Sequence, residues 1–357
     1  MNATARPSWA APLVTTIIPT YNGAEHLAET IQSILDQDHP AVEVLVVVDG
    51  STDDTSAVLE GFGDRVRVVA QPNRGQATAV NSGLAAARGE YLTLISDDDP
   101  ILPGALSRLV AVLEDDDELL VAYPDWNEID GDGRPVRIIR TREWSLIESV
   151  RLRVCIPGPC AVFRRRAVDL AGGWDTRLRY TADSDFWMRI GLHGPMRHVP
   201  EVLATWRAHA GSQTTFASRG PFAREQVTVI ERFLERDDLP EEVRAVATEA
   251  LATAHIVTAA ILHPGALGSA SSRFAVVDRI GASLTEPHPD SIVPEPTPAE
   301  AALHLGALAE QRHRELEVLR FDAQRDEARA QRLLRRIELA QGRIAELEAR
   351  LDEGERG

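Results

Sequence analysis

From residue 13 to about residue 114 the chain alternates short apolar, β-rich runs with stretches of helical period, and this alternation restricts the fold more than any other feature. Residues 13–18 form an apolar run stopped by Pro19, after which Leu27, Ile31, Ile34 and Leu35 recur at the spacing of one helix face. Residues 44–48 are unbroken Val and Leu, as a strand buried on both faces of a parallel sheet requires. Residues 65–70, a helix over about 76–88, residues 91–95 and a helix over about 103–114 repeat the pattern. Strands separated by single helices predict an α/β fold, a mostly parallel sheet with helices on both faces.

Three polar clusters punctuate this pattern: Thr20-Tyr21-Asn22, Asp49-Gly50-Ser51-Thr52-Asp53-Asp54 and Ser96-Asp97-Asp98-Asp99. Each stands just after a predicted strand. In open parallel sheets the ligand crevice lies outside the carboxyl ends of the strands, so the three converge on one place. Adjacent carboxylates repel, and a divalent cation that favours hard oxygen ligands, magnesium or manganese, relieves the repulsion. The alternative for Asp97, Asp98 and Asp99 is a solvated acidic turn capping the helix that follows.

Composition removes several chemistries. All 38 basic residues are arginine, so there is no lysine for a P-loop, a kinase strand or a Schiff base. A net charge of −17 argues against nucleic acid as a partner, since that affinity comes largely from neutralising phosphates. Pro19-Thr20-Tyr21-Asn22-Gly23 is unlike a dinucleotide fingerprint, and Gly61-Phe62-Gly63 lacks the third glycine, which argues against hydride transfer. Cys155 and Cys160 are too few for a structural zinc site or a disulfide scaffold and read as reduced core thiols. Residues 1–12 read as a disordered N-terminus without a secretory pattern, and residues 250–262 fall short of the ~20 residues a spanning helix needs. The expected location is the cytoplasm, with peripheral contact at the inner face of the cell membrane as a further option.

Residues 13–220 read as the α/β domain, with a regularly alternating half at 13–122 and a half at 123–220 in which the pattern loosens. Asp130-Gly131-Asp132-Gly133 reads as a hairpin turn in the second half. Residues 221–285 are a helical extension broken near 237–240, and 286–299 a proline-rich linker. In 300–357, Ala302, Ala309, Leu316, Ala323, Ala330, Ile337, Ile344 and Leu351 share one heptad position. The other seam position carries Leu305, Leu319, Leu333, Ala340 and Leu347, interrupted by Arg312 and Asp326. This predicts a C-terminal coiled coil, pairing with a second copy or a partner helix; a single amphipathic helix docked on the domain is the alternative.

Five motifs in order carry a resemblance: Ile17-Ile18-Pro19-Thr20-Tyr21-Asn22-Gly23, Val47-Val48-Asp49-Gly50-Ser51-Thr52-Asp53-Asp54-Thr55, Asn73-Arg74-Gly75-Gln76-Ala77 to Asn81-Ser82-Gly83, Gly89-Glu90-Tyr91, and Ser96-Asp97-Asp98-Asp99. Over about residues 13–210 the chain resembles family-2 glycosyltransferases of the Rossmann-like GT-A fold. The resemblance implies a nucleotide-diphosphate-sugar donor, UDP-, GDP- or dTDP-linked, a Mn2+ or Mg2+ ion at a DXD-type motif, and inversion at the anomeric carbon. It implies a glycan or lipid-linked acceptor, as in surface polysaccharide assembly, with 13–122 as the nucleotide-sugar-binding half and 123–220 as the acceptor half. Pro19 and Tyr21 would line the nucleobase and ribose, Asp49 would accept from the base, and Asn22, Ser51, Gly75, Gln76 and Asn81 would complete the donor site. Asp97 would lie at the ribose, Asp98 would be the main metal ligand and Asp99 would stand close by. Ser96 stands where many relatives carry Asp, which leaves open which two of the three carboxylates pair.

Tyr180-Thr181-Ala182-Asp183-Ser184-Asp185 resembles the family's Glu-Asp-x-Asp segment, with Ala182 in place of Glu, and makes Asp183 the catalytic base. A sugar hydroxyl is a poor nucleophile at neutral pH, so a positioned carboxylate is the expected aid. The segment from Leu203 to Ser212 resembles the one that closes over the diphosphate, giving Arg207 a phosphate role and His209 a metal or diphosphate role. Trp174-Asp175 and Trp187 would shape the acceptor pocket; the alternative is that the two tryptophans are core aromatics. Two rivals remain at the level of sequence: a sugar-1-phosphate nucleotidyltransferase, and a non-catalytic nucleotide-sugar-binding scaffold working through its coiled coil.

Overall fold

The computed structural model describes residues 11–152, 155–208, 219–262 and 285–286. The alternation becomes β1 (Val14–Thr20), α1 (Leu27–Leu35), β2 (Val42–Asp49), α2 (Thr55–Glu60), a 3₁₀ turn, β3 (Val66–Gln71), α3 (Gln76–Ala86), β4 (Tyr91–Leu94) and α4 (Ala105–Asp115). The expected hairpin is β5 (Val121–Ile129) and β6 (Pro135–Ile139), closed by the Asp130 N–H donating to the Arg134 carbonyl. Then come α5 (Leu146–Leu152), β7 (Val162–Arg164), α6 (Arg165–Ala171), α7 (Ala182–Gly191) and β8 (Met196–Arg207). The helical extension is α8 (Arg219–Leu234), α9 (Glu241–Ala245) and α10 (Ala247–Leu262), followed by the two-residue β9 (Thr285–Glu286) on β6.

The sheet order is β3-β2-β1-β4-β7-β5-β6-β9, with β8 beside β5. From β3 to β4 every pairing is parallel, as the sequence predicts. Beyond β4 the sheet is mixed: β7 runs antiparallel to β4 and β5, whereas β8 is parallel to β5. Pro19 does not stop β1, which continues opposite Val47 to Thr20. β4 follows β1 only to the Ile17–Leu94 pair, so the amide hydrogen that Pro19 lacks would point past the end of β4, where no ladder bond is lost.

Side-chain alternation along β2 feeds two cores. Val44, Val46 and Val48 face Leu27, Ile31, Leu106 and Leu109 of α1 and α4, while Leu45 and Val47 face Val80 and Leu84 of α3. Phe163 of β7 and Phe186, Trp187 and Ile190 of the helix α7 join the second core. A third core joins Val150, Leu178, Ala182 and Met188 to Val229, Ile230, Phe233 and Leu239, so the helical extension packs directly onto α5 and α7. All described residues fall in one compact unit. Among them, no helix is long and apolar enough to cross a membrane. The expected disordered N-terminus apart from its last two residues, most of the linker and the coiled coil lie outside the described residues.

Candidate active site

The carboxyl ends of β1, β2, β3 and β4 meet along one edge, and the turns leaving them bind one another. Asn22, in the left-handed region at φ 57°, donates its N–H to Ser51 Oγ at 3.0 Å and accepts from the Thr52 N–H at 2.7 Å. The Gly23 N–H donates to Thr55 Oγ1 and the Ala24 N–H to Asp53 Oδ2. Thr20 Oγ1 donates to Asp97 Oδ2, tying β1 to the turn after β4. A Cβ on Gly23 would lie 2.2 Å from that Asp97 oxygen, so any larger residue there would displace the Thr20–Asp97 contact. Asn22 and Ser51 are therefore partners of each other, while Tyr21 stands 52% exposed on the same edge.

Asp49 ends β2 and is buried. Its Oδ1 accepts from Gln71 Nε2 at 2.7 Å and the Arg74 N–H at 2.8 Å, and its Oδ2 from the Gly75 N–H at 2.8 Å. The carboxylate thus shapes the turn that delivers Gly75 and Gln76 to the start of α3. Arg74 is exposed at that turn. Asn81, one helical turn on, clamps a distant segment: its Nδ2 donates to the Trp174 carbonyl and its Oδ1 accepts from the Trp174 N–H.

Within the acidic turn the three carboxylates differ. Asp97 and Asp98 are half-buried, but Asp99 is only 4% exposed and takes the Arg207 N–H at 2.7 Å on Oδ1. Burial, then the neighbouring Asp98 charge, push the Asp99 carboxyl well above the usual carboxylate range. Arg207 departs from the sequence expectation of a diphosphate contact. It is 1% exposed; Nε donates to the Asp98 carbonyl at 2.9 Å, Nη2 to Glu29 Oε2 at 2.6 Å, and Nη1 to the Gly131 carbonyl at 3.1 Å. The guanidinium braces the acidic turn from beneath. Glu29 was invisible to sequence reasoning, since nothing in an exposed α1 position marks it as the partner of residue 207.

A cleft of about 340 Å³ opens beside this edge. Pro19, Gln76, Ser96 and Asp99 line it, together with Asp183, Trp126, Trp174, Trp187 and Trp206. Trp126 and Trp206, which the motifs did not single out, meet edge to face at 6.0 Å. Asp183 is the second residue of α7, half-buried, accepting from the Ser184 N–H at 2.7 Å, with Cys155 Sγ 3.8 Å from Oδ2. Asp185 is turned away: it accepts from Arg189, which also donates to the Ala171 and Gly173 carbonyls before Trp174. Cys160 also borders the cleft, but burial pushes its thiol up to about 12, out of reach of nucleophilic chemistry at neutral pH.

Whether these residues suit a divalent ion is a question of donor chemistry. Among the described residues no three His, Cys, Asp or Glu side chains gather as a protein cage. Magnesium-like ions need only one or two carboxylates when substrate phosphates complete the shell. Asp98, with Asp99 behind it, supplies hard oxygens of that kind, and a cation would offset the charge that burial of Asp99 penalises. The residues fit an ion shared with a diphosphate. His209 lies outside the described residues.

A parallel sheet turned mixed beyond its fourth strand, with an acidic turn facing a cleft at its carboxyl edge, has the GT-A architecture. The fold matches S. aureus TarS in complex with UDP-GlcNAc at a TM-score of 0.56 and 20% identity, covering 76% of this chain and 80% of that one. It also matches the mannosyltransferase PcManGT of Pyrobaculum calidifontis in complex with GDP-Man and Mn2+, at 0.51 and 21%, covering 78% and 84%. The sequence profile of glycosyl transferase family 2 matches residues 15–170. An uncharacterized Mycobacterium tuberculosis protein is 32% identical over 225 residues, 58% of this chain and 70% of that protein. The hyaluronan synthase of Pasteurella multocida is 27% identical over 232 residues, 64% of this chain but only 24% of the synthase. Residues 15–170 thus carry a glycosyl transferase family 2 domain, and the chain is a glycosyl-transferring enzyme.

Proposed function

We propose that this protein is an inverting, divalent-metal-dependent glycosyltransferase that moves a sugar from a nucleotide diphosphate, UDP-, GDP- or dTDP-linked, to a hydroxyl of a glycan or glycolipid. The observation that carries the reading is that Asp183 lines the same cleft as Ser96 and Asp99 of the acidic turn. Tyr21, Asp49 and the turn it holds form the nucleotide side; Asp49 keeps a lone pair on Oδ2 after its three hydrogen bonds. Asp98, with Asp99, would hold the ion, which when bound neutralises charge on the diphosphate. Arg207 keeps the carboxylates in place, and exposed Arg74 takes the phosphate-facing role expected of Arg207 from its motif. TarS with UDP-GlcNAc and PcManGT with GDP-Man and Mn2+ support the donor class, and the hyaluronan synthase supports a glycan acceptor.

In the transfer step Asp183 takes the proton of the acceptor hydroxyl as that oxygen bonds to the anomeric carbon. The bond from that carbon to the diphosphate oxygen breaks in line, and the nucleoside diphosphate leaves with the electron pair. Half-buried Trp126, Trp174 and Trp206, backed by buried Trp187, give the acceptor ring apolar faces to stack on, which orients its hydroxyl and excludes water. Asp183→Asn keeps the shape and removes the base, so kcat falls by about 10²–10⁴ in a transfer assay while donor KM holds. A rate near wild type would remove Asp183 from the mechanism.

A further inference from the structure

The position of Asp183 depends on how the chain enters α7, and that entry is not held by α7 itself. Thr181, at the N-cap, makes no side-chain capping bond. Instead a carboxylate reaches in from α8. Glu225 Oε1 accepts from the Tyr180 N–H at 2.6 Å, the Thr181 N–H at 2.8 Å and Thr181 Oγ1 at 2.9 Å, and Oε2 accepts from the Arg179 N–H at 2.9 Å. A carboxylate offers about four acceptor sites, and here four donors from three consecutive residues converge on one such group. The charge also sits at the positive end of the α7 dipole.

The platform behind Glu225 is firm. Val229, Ile230 and Phe233 of α8 are buried with Leu178, Ala182 and Met188, residues that bracket the held segment and Asp183. Thr258 of α10 donates to the Ala223 carbonyl at 2.6 Å, fixing the first turn of α8. The family profile ends at residue 170, so this brace lies wholly outside the matched region.

We propose that Glu225 is a positioning residue for sugar transfer: by fixing residues 179–181 it sets the carboxylate of Asp183 against the acceptor hydroxyl. This rests on the reading of Asp183 as the base. The test is a double-mutant cycle in the full chain with Glu225→Ala, Glu225→Gln, Asp183→Asn and the double variant, reading kcat, donor KM and donor binding. Misplacing a reacting group by about 1 Å costs up to about 100-fold, so Glu225→Ala is expected to lower kcat about 10- to 100-fold with donor KM within about twofold. Glu225→Gln keeps acceptance at Oε1 but sets an amide donor against the Arg179 N–H, and is expected to lose less. Should the alanine variant fail to fold, the glutamine variant carries the same cycle.

The decisive value is the double variant, which is expected to be no slower than Asp183→Asn alone, because a brace has nothing left to position. Wild-type kcat in both Glu225 variants, with Asp183→Asn inactive, overturns the positioning role and leaves the base intact. A loss that multiplies with that of Asp183→Asn, or that appears equally in donor KM, assigns Glu225 to general stability and also overturns it. Wild-type kcat in Asp183→Asn removes the base reading and, with it, this proposal.

Discussion

Asp49 shows what a motif residue does once its surroundings are visible. The sequence marks it as a buried acceptor at a strand end, and the structure fills three of its lone pairs with donors from the 71–75 turn. Asp49→Ala would remove the acceptor of two part-buried backbone N–H groups and an amide, at about 0.5–1.5 kcal/mol each. The expected outcome is a lower midpoint in urea and at least about tenfold weaker donor binding by calorimetry; unchanged binding would confine Asp49 to the scaffold. Arg207 teaches the opposite lesson. Its residue type and the resemblance of its segment to one that closes over a diphosphate suggested a phosphate contact, but at the end of β8 it is buried against the carbonyl of Asp98 and the side chain of Glu29. The motif residues were legible one by one. Their partners were not, because Glu29 and Glu225 sit on helices whose sequence carries no mark of the distant turn each one meets.

At the scale of elements, the parallel first half was legible because each strand is an apolar run followed by one amphipathic helix. The mixed second half was not. β7 has three residues, and the pairing of β5 with β8 joins segments far apart in sequence and shifts register at Asp125. That shift aims the Asp125 carboxylate, 1% exposed, at His198 Nε2 at 2.7 Å and at the Thr141 N–H at 2.8 Å. Burial alone would raise this carboxyl; the His198 and Thr141 hydrogen bonds outweigh it and hold it below the usual range. A depressed folded value means stability that is fully present above the unfolded value of about 3.9 and is lost as pH falls through the folded one. Urea denaturation of wild type and Asp125→Asn is therefore expected to differ most above about pH 5 and to converge as pH drops below about 4. A gap independent of pH would show that Asp125 contributes by shape alone.

On the scale of the whole molecule, the opening alternation correctly places the clefted edge, and the lysine-free, acidic composition sharpens what must happen there. An anionic donor approaching a chain of net charge −17 needs a counter-charge, which favours a cation shared by Asp98 and the diphosphate. The helices beyond residue 220, read from sequence as an extension, share a core with α5 and α7. Residues 300–357 carry the heptads, so the 357-residue chain is expected to sediment as an oligomer and a chain ending at Pro289 as a monomer; monomers of both would favour a lone helix. The central claim is glycosyl transfer with Asp183 as base. Phosphorus NMR of wild type and Asp183→Asn turning over a nucleotide-diphosphate sugar with manganese and a glycan acceptor tests it most directly. The account predicts nucleoside diphosphate accumulating in step with glycoside in the wild type, and almost none in a variant that still binds donor. Pyrophosphate or sugar phosphate as the product, or an undiminished rate in Asp183→Asn, would contradict it.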